Sequence, residues 1–89
     1  MLEKTVIIKN KLGLHARAAV KLMNLANRFN SSVRITKDGN EVDAKSILGI
    51  LTLAAVKGSK IVLKVSGKDE NKAINALIEL IDNKFEEEE

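Results

Sequence analysis

The sequence predicts a two-layer α+β sandwich, with helices covering one face of a small sheet. Its 89 residues suffice for one small domain with one modest core. Short β-branched or alternating segments take turns with segments of helical periodicity, in the order strand, helix, strand, strand, helix, strand, helix. This pattern leaves the order of the strands open, because a ferredoxin-like sheet would produce nearly the same pattern.

The first half of the chain predicts a strand, a helix and a hairpin. Residues 5–9 form a short β-branched run, which is typical of a strand. A helix is predicted over residues 16–29, where apolar side chains recur at three- and four-residue spacing. These side chains are Leu22, Leu25, Ala26 and Phe29. Residues 32–37 alternate apolar with polar, and Asp38-Gly39 predicts a tight hairpin into a short strand over residues 41–44.

The second half predicts a helix, a strand and a final helix. Ser46 is a suitable N-cap for a helix over residues 47–56, which is apolar on nearly every side and is expected to end at Lys57-Gly58. Residues 60–66 read as the fourth strand. Asp69 can cap a third helix, whose inward face repeats at helical spacing. That face consists of Ile74, Leu77, Ile78 and Ile81.

The composition excludes several kinds of site. The chain is 45% hydrophobic and 30% charged, as globular proteins are. It contains no cysteine, which excludes disulfides, thiolate catalysis and cysteine-based zinc sites, and a single histidine cannot build a His-rich metal site. We therefore expect no metal and no cofactor. The first four residues lack the features of a signal peptide, and no apolar run is long enough to cross a bilayer, so we expect a cytoplasmic protein without membrane insertion.

Charge is distributed unevenly along the chain. The net charge is +3, but Glu86 to Glu89 contribute four negative charges, so the rest of the chain carries +7. We expect residues 86–89 to be a frayed acidic tail without a role, following one domain over residues 1–85. The basic body favours acidic or phosphorylated partners. Nucleic acid is not expected as a partner, because the chain has no Trp or Tyr and only two Phe to stack on bases.

The candidate functional residue is His15, the only histidine. It follows Gly13 and precedes the first predicted helix, so it lies where a loop becomes a helix. Backbone N–H groups at a helix start favour an anion, an imidazole can attack phosphorus, and Arg17 can neutralise phosphate oxygens. A lone His-x-Arg pair is by itself more often an ordinary surface pair. No carboxylate lies within this stretch, which gives a Ser-His-Asp type of triad little support.

A resemblance raises the weight of the phosphate interpretation. The run Gly-Leu-His-Ala-Arg-Ala-Ala over residues 13–19 resembles the phosphorylation site of the histidine-containing phosphocarriers, the HPr family of the bacterial phosphotransferase system. The resemblance continues at residues 45–49, 57–59 and 67–70, so that it spans the chain from about Glu3 to Phe85. It implies an open-faced sandwich whose antiparallel sheet has the order 1-4-2-3 and carries three helices on one face.

The resemblance also implies a function. His15 would accept phosphate on Nδ1 from phospho-enzyme I, assisted by Arg17, and would pass it to enzyme IIA for sugar uptake. The protein would be a relay in the phosphoenolpyruvate-dependent system rather than a stand-alone enzyme. The alternative is a regulatory paralogue, of nitrogen-branch or catabolite-control type, that signals by its phosphorylation state. The chain departs from the common family pattern at Ala18, where many members have Pro, and at Leu12, where many have Ser or Asn.

Ser46 has two interpretations. Its spacing indicates an ordinary helix cap, whereas the resemblance implies a regulatory phosphorylation site. The second interpretation requires a serine kinase/phosphorylase and would involve a catabolite-control regulator as a further partner.

The second predicted helix indicates a docking surface. A domain of this size rarely buries a helix on all sides, so some of Ile47, Leu48, Leu51 and Thr52 must face outward. In the family this surface docks enzyme I and enzyme IIA domains, and we expect the protein to be a monomer between these encounters. The other residues that the resemblance implies for docking are Val20, Lys21, Asn24, Asn27 and Lys45.

Overall fold

The computed structural model describes residues 1–87, which contain four strands, three α-helices and a final helical turn. The elements are β1 (Leu2–Ile7), α1 (Ala16–Ala26), β2 (Ser32–Lys37), β3 (Asn40–Asp43), α2 (Ile47–Thr52), β4 (Lys60–Ser66), α3 (Glu70–Asp82) and a 3₁₀ turn over Lys84–Glu86. Their order is the predicted one. The first strand begins and ends earlier than predicted, and the third is shifted by one residue.

The four strands form one antiparallel sheet in the order β1-β4-β2-β3. Ile61 of β4 lies opposite Val6 of β1, and Leu63 of β4 lies opposite Ile35 of β2. The hairpin between β2 and β3 turns at Asp38-Gly39, where both residues have positive φ as a two-residue turn of this type requires. These pairings confirm the α+β sandwich and the order 1-4-2-3, and they settle the choice that the sequence pattern left open.

The helices cover one face of the sheet, and the other face is mostly polar. In β4 the alternate residues Ile61, Leu63 and Val65 are fully buried in the single core cluster, as the period of a half-buried strand requires. On the opposite face, Lys64 Nζ lies 3.1 Å from a carboxylate oxygen of Glu41. Its hydrogen bond and positive charge lower the pKa of Glu41. The largest fully buried side chains of the core are Phe85, Ile8, Leu22, Ile35, Ile50, Ile61, Leu63, Leu77 and Ile81.

Two helices are shorter than predicted. The first ends at Ala26 instead of Phe29, because the N–H groups of Arg28 and Phe29 bond carbonyls three residues back and tighten the last turn. The second ends at Thr52 instead of near Val56, because Ala54 adopts a left-handed φ of 50°. This early end brings the Ala55 carbonyl to the Leu14 N–H, at 2.8 Å.

Asp69 stands at the N-cap position of α3 but makes no side-chain capping bond. Its carboxylate instead accepts hydrogen bonds from the Ser31 hydroxyl and from the backbone N–H groups of Asn30 and Ser31. The Ser31 hydroxyl bond, followed by the Asn30 N–H bond, lowers the pKa of Asp69. Asp69, which was predicted to cap α3, therefore connects the start of α3 to the turn that precedes β2 by hydrogen bonds.

Gly13 offers a test of how tightly the loop before His15 packs. A Cβ on Gly13 would lie 2.4 Å from the Ala55 carbonyl oxygen, whereas one on Gly39 would meet nothing within 4 Å. Both glycines have positive φ, of 68° and 82°, so alanine costs about 1–2 kcal/mol at either site. Gly13→Ala should cost about 1–3 kcal/mol more than Gly39→Ala, because the clash adds to the strain. Urea unfolding measures both, and equal losses would show that the loop is not held against Ala55.

Candidate functional site

His15 is the N-cap residue of α1, as predicted. Its backbone is extended, with φ −71° and ψ 176°, and its carbonyl accepts the first helical hydrogen bond from Ala19, at 2.9 Å. The imidazole makes no capping bond to the helix. The side chain is therefore available for other contacts at the helix start, which is a site that favours anions.

The loop that carries His15 is held in place by hydrogen bonds to a buried residue, Asn10. Asn10 is fully buried, and its Nδ2 donates to the Gly13 carbonyl at 2.7 Å, while the Gly13 N–H donates back to the Asn10 carbonyl at 3.1 Å. Leu14 is buried next to this turn. The exposed Leu12 offers no side-chain hydrogen bond at this point.

A cleft of about 860 Å³ opens over the imidazole. It is lined by Lys11, Leu12, His15, Arg17, Lys21, Glu86 and Glu87. Arg17 is exposed in the first turn of α1, and Lys21 lies one turn further along the same helix. Three cationic side chains, which suit phosphate oxygens, thus line the cleft together with the imidazole and the carboxylates of Glu86 and Glu87.

One residue of this site, Glu87, was not identified from the sequence. One of its carboxylate oxygens, Oε2, contacts Nε2 of His15, and the other accepts a hydrogen bond from Asn10 Nδ2 at 2.9 Å. The 72 residues that separate Glu87 from His15 hide this contact from any local pattern. The one sequence feature that could have indicated it is Phe85. An apolar aromatic residue just beyond the last helix suggests that the end of the chain packs against the core.

The expectation of a frayed tail is wrong for Glu86 and Glu87, and Glu88 and Glu89 lie outside the described residues. Phe85 is fully buried, and its carbonyl accepts a hydrogen bond from Lys21 Nζ at 2.6 Å. The burial of this large aromatic side chain and the Lys21 hydrogen bond both hold the end of the chain. The acidic end therefore turns back toward α1.

The predicted docking residues lie on α1, on α2 and between them. Val20 and Asn24 are exposed on α1, and Asn27 is exposed just after its last residue. Asn27 Nδ2 donates to the Lys45 carbonyl at 3.3 Å. Lys45 Nζ in turn donates to the Phe29 carbonyl, at 2.9 Å. On α2, the exposed residues are Leu48, Leu51 and Thr52, whereas Ile47 is half-buried against the core. The apolar residues that α2 exposes are therefore Leu48 and Leu51, whereas Ile47 packs partly against the core.

Ser46 acts as the N-cap of α2, which confirms its structural interpretation. Its Oγ accepts a hydrogen bond from the Gly49 N–H at 3.3 Å, and the residue is exposed. Its regulatory role stays a prediction. Among residues 1–87, no helix has the length and apolar character that crossing a bilayer demands.

Known proteins resemble this chain over its whole length. The family described as the PTS HPr component phosphorylation site matches residues 2–83. Phosphocarrier protein HPr of Cupriavidus necator is 51% identical over 89 residues, which cover both chains completely. HPr-like protein Crh of Halalkalibacterium halodurans is 49% identical over 82 residues, or 92% of this chain and 98% of that one.

A solved structure also matches the chain over its whole length. The crystal structure of HPr-C-His from Thermoanaerobacter tengcongensis matches with a TM-score of 0.96 at 46% identity, covering all of both chains. Family, sequence and fold agree along the chain. The chain belongs to the HPr phosphocarrier family of the bacterial phosphotransferase system.

Proposed function

We propose that this protein carries a phosphoryl group on His15 from phospho-enzyme I to an enzyme IIA that serves sugar uptake. One observation carries the proposal: the imidazole stands at the start of α1, in a cleft whose lining includes three cations, Lys11, Arg17 and Lys21, beside the carboxylates of Glu86 and Glu87. These cations offset the charge of a phosphoryl group, and the helix start adds backbone N–H donors. Family membership supplies the partner proteins that this chemistry requires.

Arg17 is proposed to stabilise the phosphoryl group. It is exposed in the first turn of α1 and lines the same cleft as His15. A guanidinium can hold phosphate oxygens with two parallel hydrogen bonds, which fixes the orientation of the group as well as its charge. We assign Nδ1 of His15 as the phosphorylated atom, since Nε2 is already engaged by Glu87.

The docking surface is proposed to comprise the exposed residues of α1 and α2. The apolar side chains Leu48 and Leu51 are exposed on α2, and Val20 is exposed on α1. Exposed apolar residues that lie together are typical of a partner site. Enzyme I and enzyme IIA would bind here in turn, because both must reach His15.

A regulatory role is the second candidate. The exposed hydroxyl of Ser46 and the similarity to the protein named HPr-like protein Crh favour it. The two candidates differ in the fate of the phosphoryl group once His15 has accepted it. When enzyme I and enzyme IIA are both present, a carrier passes the phosphoryl group to enzyme IIA, whereas a purely regulatory protein retains it on His15.

The first prediction concerns His15 itself. Incubation with phosphoenolpyruvate and a bacterial enzyme I should add one phosphoryl group to the wild-type protein and none to His15→Ala, because no other imidazole exists in the chain. Intact-mass measurement decides this, with circular dichroism to show that the variant is folded. An acid-labile phosphate that persists on the folded His15→Ala protein would contradict the assignment.

The second prediction concerns docking. Leu48 is 72% exposed, so Leu48→Glu should change the free energy of unfolding by only about 0.5 kcal/mol. The same change should weaken enzyme I binding about tenfold or more, because the interface would have to desolvate the new charge. Titration calorimetry measures the binding. Asn75→Glu adds the same charge at an exposed position of α3 and serves as the control. If Leu48→Glu unfolds the protein, or if both variants bind equally well, the surface is wrongly placed.

The third prediction concerns Ser46. Ser46→Asp should keep thermal stability or raise it slightly, because Asp is also a preferred N-cap residue. It should nevertheless slow phosphorylation of His15, since a charge two residues from Leu48 must be desolvated when enzyme I docks. Scanning calorimetry and a transfer assay on one preparation measure both effects. Ser46→Ala is the control, with a stability loss of about 0.5–2 kcal/mol and normal transfer. A large fall in melting temperature for Ser46→Asp, or wild-type transfer, would reject this mechanism.

A further inference from the structure

The contact between His15 and Glu87 is built by the core of the protein. Phe85 is fully buried two residues before Glu87, and Lys21 Nζ fixes the Phe85 carbonyl at 2.6 Å. The residues from Lys84 to Glu86 have left-handed φ values between 55° and 62°, which turn the chain back over α1. The Glu87 side chain is consequently only 14% exposed. This degree of enclosure distinguishes the pair from the solvent-exposed ion pairs elsewhere on the surface.

A second side chain orients the carboxylate. Asn10 is fully buried, and its Nδ2 donates both to the Gly13 carbonyl at 2.7 Å and to Glu87 Oε1 at 2.9 Å. The amide therefore joins the loop before His15 to the carboxylate that meets the imidazole. The three side chains form one series, in which Asn10 holds Glu87 and Glu87 holds His15.

The chemistry of the two groups fixes the proton on the ring. An ionised carboxylate only accepts hydrogen bonds, so the nitrogen that faces it, Nε2, must carry the N–H. In a neutral imidazole the other nitrogen, Nδ1, then has the free lone pair. A carboxylate that orients a histidine in this way is a recurring device in histidine chemistry.

We propose that Glu87 is a positioning residue for phosphoryl transfer, with Asn10 as its support. The inference rests on the proposed function of His15 and adds to it a carboxylate that lies outside the sequence motif. Glu87 directs Nδ1 toward the phosphoryl donor by holding the Nε2–H. Because Phe85 anchors the C-terminal segment, that segment contributes to the reaction by holding Glu87 in place.

Phosphoryl transfer to His15 conserves the ring proton. The lone pair of Nδ1 forms a bond to phosphorus, and the bond between phosphorus and the donor breaks, with its electron pair staying on the donor. The Nε2–H proton remains on the ring, which becomes cationic as Nδ1 takes up phosphorus. The Glu87 carboxylate faces this cation, and the cations of Lys11, Arg17 and Lys21 line the cleft for the phosphoryl oxygens. When the group leaves for an acceptor, the same lone pair returns to Nδ1.

The fourth prediction concerns the proton on Nε2. In wild-type protein at a pH where the ring is neutral, the Nε2 proton of His15 should give a downfield NMR signal that is protected from exchange with water. Glu87→Ala should remove that protection and slow phosphoryl uptake from phospho-enzyme I about tenfold or more, the usual loss when a group that orients a reactive histidine is removed. The variant should remain folded, because Phe85 is unchanged.

Glu79→Ala is the matched control. It removes the same charge from an exposed residue of α3 that does not line the cleft, and it should leave both the proton signal and the rate near their wild-type values. The proposal requires both readouts to change in Glu87→Ala alone. It is overturned if Glu87→Ala transfers at the wild-type rate, if it transfers faster because the carboxylate obstructs the site, or if the proton signal persists. The NMR measurement uses unphosphorylated protein, so it still decides the contact if His15 proves not to be phosphorylated.

Discussion

The hydrogen bond from the Leu14 N–H to the Ala55 carbonyl, 2.8 Å long, holds the His15 loop against the rest of the protein. It requires α2 to end early, because a continuing helix would direct that carbonyl along its own axis. It also requires Gly13, since any side chain at that position would strike the Ala55 carbonyl. The place of the reactive imidazole is thus set jointly by a loop at the start of the chain and a turn beyond its middle.

The C-terminal segment completes the same site. Phe85 fills the core and leaves Glu87 beside His15, while Lys21 of α1 fixes the chain between them. Three separate segments therefore converge on one side chain, and each is anchored by buried apolar residues. A rigid framework of this kind suits the proposed carrier function, in which the imidazole would meet successive partners in the same orientation. The exposed apolar residues of α2 lie outside this rigid framework, so a partner protein can cover them without disturbing it.

Much of the fold was predictable from local patterns. Strand alternation, the Asp38-Gly39 turn and the helical spacings predicted the order of the elements, and the family resemblance implied the strand order. The ends of the helices were less predictable: α2 stops at the left-handed Ala54, in a turn that brings the Ala55 carbonyl to a residue about forty positions earlier, which no local propensity encodes. For the site, the motif identified His15 and Arg17. It did not reveal Glu87, whose contact depends on a turn with left-handed φ at residues that are not glycine.

The central claim is that His15 accepts the phosphoryl group on Nδ1 while Nε2 stays engaged by Glu87. Nitrogen–phosphorus correlation NMR of the enzymatically phosphorylated, ¹⁵N-labelled protein tests it most directly. We expect phosphorus to couple to Nδ1 of His15 and Nε2 still to bear its proton. Phosphorus on Nε2, or on the oxygen of a serine, would contradict this claim.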